Sequence, residues 1–79
     1  MKYTEIERTY IHARQNVLRL MERYDMVDRC AVPWGIENSF CNRFKVTFTE
    51  EGDIKNLGKV KEKLDALSEK ERLEWKRRD

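Results

Sequence analysis

One proline, three glycines, two cysteines and a single histidine are all that these residue types contribute to a chain of 79 residues. Each scarcity excludes something. Two cysteines are too few for the disulfide framework of a small secreted domain. Cys30 and Cys41 also have ten residues between them, outside the spacing of a zinc knuckle. A metal site built from Cys30, Cys41 and His12 would be one ligand short, so no metal is expected. Gly35, Gly52 and Gly58 are isolated and form no phosphate-cradling loop. No apolar run approaches the ~20 residues of a membrane span. The opening MKYTEIERTY has no signal-peptide core, so the reading is cytoplasmic with reduced thiols. Charge of one sign is missing too: 17 basic residues against 15 acidic leave +2, which is a solvated surface and no polycation. His12 has no recognisable orienting carboxylate and nucleophile, and the carboxylates are scattered among lysines and arginines. The expectation is a protein that is not an enzyme and carries no cofactor.

What is present is pattern. Tyr3, Ile6, Tyr10, Ala13, Val17, Leu20, Tyr24 and Val27 are spaced alternately by three and four, the seam of a packed helix from about 4 to 28. Ile11, Leu18 and Met21 widen that face. Thr4 with Glu7, and later Ser68 with Glu71, have the spacing of capping boxes. Between Cys30 and Phe48 lie the only proline, all three phenylalanines, both cysteines and Trp34. There Phe40, Asn42, Phe44, Val46 and Phe48 alternate with Cys41, Arg43, Lys45, Thr47 and Thr49, a period of two that reads as a strand with one buried face. With Arg29–Val32 as a first strand and Pro33-Trp34-Gly35 as turn chemistry, residues 29–49 read as a hairpin. Asp53 is placed to cap a helix over about 53–67, carrying Ile54, Leu57, Val60, Leu64 and Leu67, with a restart over 69–78. The expected architecture is a single α+β domain over 1–79, helix–β-hairpin–helix, with both helices on the phenylalanine face of a short antiparallel sheet.

A chain this short buries only about 60% of the surface its unfolded form exposes, so its stability needs support. Open strand edges and the wide face of the first helix point to a homodimer, through the sheet edge or through the tyrosine-bearing seam. For function, composition points to a non-enzymatic protein-binding module. Such a small accessory regulator or inhibitor, of the kind phages also encode, would occupy a surface of a larger protein partner. Trp34 and Trp75 would anchor the contact, with Arg43, Lys45 and Arg72 as rim charges. The alternative is a nucleic-acid-binding regulator using Arg43, Lys45 and the basic tail, in which aromatics beside cations stack bases and hold phosphates.

Overall fold

A computed structural model describes residues 4–28, 30, 32, 33 and 35–77. Among them the chain forms four helices and no strand: α1 (Glu5–Arg23), α2 (Ile36–Phe44), α3 (Leu57–Asp65) and α4 (Glu69–Lys76). The expected α+β class is therefore corrected to an all-helical one.

The correction falls on the alternating stretch. Phenylalanines at 40, 44 and 48 are four apart, a spacing that a period of two and a helical turn of 3.6 both satisfy. The tie is settled by what else shares the face. A strand would bury Asn42 with the phenylalanines, whereas a helix stacks Ile36, Phe40 and Phe44 and leaves Asn38, Ser39, Asn42 and Arg43 in water. Ile36, Phe40 and Phe44 are each 3% exposed or less, which shows which face won. Gly35, at φ +77°, starts this helix, and Lys45, at φ +55°, ends it with its N–H donated to the Cys41 carbonyl. Among the described residues there is no sheet and so no sheet edge to pair, which takes away the expected basis for a dimer through that edge.

Beyond α2, pairing of β type takes the form of a short tongue. Phe48 and Ile54 form an isolated antiparallel bridge. Lys55 N donates to the Thr47 carbonyl and Thr49 N to the Asp53 carbonyl, both at 2.8 Å. Asn56 clamps its base, accepting from Thr47 N at 2.9 Å and donating to the Lys45 carbonyl at 2.8 Å. Asp53 therefore does not cap α3, which begins only after Asn56.

The other helix ends follow their sequence signals. Thr4 Oγ1 accepts from Glu7 N at 3.1 Å, and Ser68 Oγ accepts from Glu71 N at 3.2 Å. α1 stops short of residue 28. Asp25 takes a left-handed conformation, φ +56°, which aspartate tolerates better than most residues. Met26 N then closes onto the Met21 carbonyl at 2.9 Å, and Met26 and Val27 turn into the core.

That core joins Val17, Leu20 and Met21 of α1 to Phe40 and Phe44 of α2, Val60 and Leu64 of α3, and Trp75 of α4. Phe40, Phe44 and Trp75 form a three-ring cluster. Ring centroids lie 4.8 Å apart for the phenylalanines, and 5.9 and 5.8 Å from each to the indole. Such tilted and edge-on pairs add to the gain from burial alone.

Candidate functional site

α1 places three side chains, Asn16, Arg19 and Arg23, along one side at spacings of three and four, so they share a face. The tongue lies against that face, and Gly52 makes the approach possible. At φ +92° it occupies a region that disfavours any side chain, and a Cβ there would come within 2.7 Å of the Thr9 carbonyl oxygen and 3.2 Å of Ala13 N. Two polar contacts complete the join. Asn16 Nδ2 donates to the Gly52 carbonyl at 3.0 Å, and His12 Nε2 lies 2.8 Å from Asp53 Oδ1. The lone histidine is thus a half-exposed partner of Asp53 that ties two segments together.

Docking the tongue opens a groove of about 280 Å³ between α1 and the start of α3, with Leu20, Ile54 and Leu57 as its apolar floor. Arg19 and Arg23 from α1 and Lys61 from α3 stand around it. None of these three has an ion-pair partner among the described residues. The single carboxylate at the rim, Asp53, is already engaged by His12. An apolar floor beneath unpaired cations fits a ligand that is itself acidic and partly apolar. The α1 seam, read from its apolar members only, gave no hint of these cations. Their signal was the i, i+4 repeat of Arg19 and Arg23, which takes on meaning once Ile54 and Leu57 are placed beside it.

Of the residues singled out in the sequence, those that are described fall outside this groove. Trp75 is only 6% exposed and belongs to the core, the folded-back position that an amphipathic tail also allows. Trp34 lies outside the described residues. Arg43 sits on α2 with its guanidinium 5.3 Å from the Phe44 ring centroid, and Lys45 is the exposed residue that ends α2. Neither lies on a strand face. Arg72 is half-buried on α4, and its Nε has no hydrogen-bond partner among the described residues.

A second, smaller cavity of about 160 Å³ separates α1 from α2, lined by Ala13, Val17, Cys41 and Phe48 with Arg14 and Glu37 at its side. Glu37 is buried and held by Arg14, whose Nε lies 2.9 Å from Oε1. Burial, and secondarily the Glu37 carboxylate, push the Cys41 thiol up from its ordinary value, which disfavours the nucleophilic thiolate. Cys30 is an exposed free thiol. Among the described residues no group of three or more His, Cys, Asp or Glu is placed to hold a metal ion. No described helix is long and apolar enough to cross a membrane.

Among the described residues these features make a small four-helix fold with a cationic groove between α1 and α3. Compared with family models, with curated proteins and with solved structures, the chain has no match in any of the three.

Proposed function

We propose that the chain is a non-enzymatic protein-binding module that takes an acidic, partly apolar segment of a larger protein into the groove between α1 and α3. The observation that supports this reading is the set of three cations, Arg19, Arg23 and Lys61, without an ion-pair partner among the described residues, above Leu20, Ile54 and Leu57. Electrostatics of this kind steers and orients a partner, while the apolar floor supplies the desolvated contact area. A module of this size acts by occupancy, as an accessory regulator or inhibitor covering a surface of its partner.

The test pairs two probes with two variants. Fluorescent peptides alternating Asp or Glu with Leu or Phe are titrated against the protein, as are duplex DNA and single-stranded RNA. Peptide binding should fall by about tenfold or more in Arg19→Glu and Arg23→Glu and stay level in Arg43→Glu, which lies off the groove. Nucleic acid that binds at low salt and is lost by orders of magnitude on moving to ~200 mM, with no peptide bound, would replace this reading by the phosphate-binding one.

A further inference from the structure

The first half of α1 carries an apolar stripe that the fold leaves bare. Ile6 is 83% exposed and Tyr10 59%, although both continue the seam whose later members Val17 and Leu20 are buried. Ile6, Tyr10 and Ile11 line a nearly wholly apolar depression. One step along the stripe, Ala13 and Val17 open onto the cavity against α2, with Cys41 and Phe48 on its far side.

We infer that this stripe pairs with the same stripe of a second copy, the two α1 helices running antiparallel about a two-fold axis between Tyr10 and Ala13. The occupant is set by self-complementarity of three kinds. The first is size. An antiparallel pair centred there sets Tyr10 of each copy opposite Ala13 of the other, large against small, so the helices approach closely. The second is shape. The same register brings Ile6 of one copy level with Val17 of the other, at the mouth of the 160 Å³ cavity. That is room for a branched aliphatic group, since water occupies about 30 Å³ per molecule in the liquid.

The third is charge. Glu7 and Arg14 are seven residues apart and flank the stripe on one side. Antiparallel packing sets like flanks against each other, so Glu7 of each copy meets Arg14 of the other, twice by symmetry. A parallel pair would instead set this flank against the one carrying Thr9 and Asn16, which have no charge to match. Arg14 is available for the role: Glu37 faces its Nε, and 39% of its side chain remains exposed. Contact over residues 6–17 is about 18 Å long, a small interface, so association belongs in the micromolar range. This inference goes beyond the docking groove and does not depend on it, because Arg19, Arg23 and Lys61 take no part.

Sedimentation equilibrium of the whole protein from about 1 to 500 µM tests it, with circular dichroism as a check on folding. The expected result is a shift from 9.6 kDa towards twice that mass as concentration rises. Ile6→Glu and Tyr10→Glu, both at exposed positions, should weaken dimerisation by about tenfold or more without changing the helical signal. Glu7→Arg should weaken it severalfold at low salt and much less at high salt, whereas Glu5→Arg, off the stripe, should have no effect. A 9.6 kDa species at every concentration overturns the inference. So does a dimer indifferent to Ile6→Glu and Tyr10→Glu. Equal sensitivity to Glu5→Arg and Glu7→Arg overturns the antiparallel register. Binding of the wild type to anionic lipid vesicles, lost in Ile6→Glu while the protein alone stays monomeric, would assign the stripe to a membrane surface instead.

Discussion

The aromatic cluster and the tongue hold the same four-helix domain by opposite means. Where α2 meets α4, Phe40, Phe44 and Trp75 exclude water, and their geometry tolerates small adjustments as long as volume is kept. Where the tongue meets α1, Phe48 and Ile54 pack against the core, but the closest approach is made without any side chain. The contact is Gly52 seated on the backbone of Thr9 and Ala13, with Asn16 and His12 holding its neighbours. One join depends on how much is buried, the other on one atom being absent. In a chain this small the second kind is economical, because polar residues at the tongue keep the surface soluble while the groove beside it stays open.

Substitutions in the two regions should separate these mechanisms. The largest effect is expected for Phe40→Ala, which empties the centre of the ring cluster at a cost of about 3–5 kcal/mol, enough to unfold a small domain. Phe40→Leu keeps most of the volume and should cost less than half as much by urea denaturation. Next comes Gly52→Ala, about 2–3 kcal/mol from the left-handed backbone and the collision with the Thr9 carbonyl together. Its mark is that no compensating change of volume nearby rescues it, unlike the core variant. Asn56→Ala removes both bonds at the base of the tongue and should cost about 1–2 kcal/mol, with greater hydrogen exchange confined to residues 47–56.

The smallest effect concerns Asp25 and Lys76, whose 2.8 Å contact fastens the end of α4 to the turn after α1. The hydrogen bond from Lys76, and then its charge, hold the Asp25 carboxyl below its ordinary value, and Asp25 raises Lys76 in the same way. A lowered carboxyl contributes stability above its unfolded-state value and loses it as pH falls through the folded one. The raised ammonium loses its share as pH rises through its own folded value. Melting temperatures of wild type and Asp25→Asn should differ slightly at neutral pH and converge below the carboxylate range. A gap that persists in acid would show that the pair contributes nothing through charge.

Much of the helical frame was readable from residues alone. Thr4 with Glu7 and Ser68 with Glu71 are local devices, and local devices are visible in a sequence. The α1 seam was also legible, but its length was not, because a left-handed Asp25 leaves no periodic trace. The stretch from 39 to 49 misleads for a definite reason: a spacing of four fits two periods, and they are told apart by Asn42, which is exposed, and Cys41, which packs against the core. The strand read over 39–49 and paired with 29–32 does not form among the described residues; Thr47 and Thr49 instead share backbone hydrogen bonds with Lys55 and Asp53, only a few residues on. The groove was illegible for a different cause. Its floor comes from α1, the tongue and the start of α3, and the meeting of tongue and α1 depends on Gly52, whose role appears only when a second backbone lies against it.

Gly52 also bears on the order of events in folding. The bonds within the tongue link residues no more than eleven apart, and such loops close on a timescale of tens of nanoseconds. Seating Gly52 on Thr9 and Ala13 joins segments about forty residues distant, so it must await a much larger chain closure. A contact made late is weakly formed at the rate-limiting step. Gly52→Ala should therefore leave the refolding rate nearly unchanged and appear almost wholly as faster unfolding, making this one missing Cβ a brake on the native state's departure.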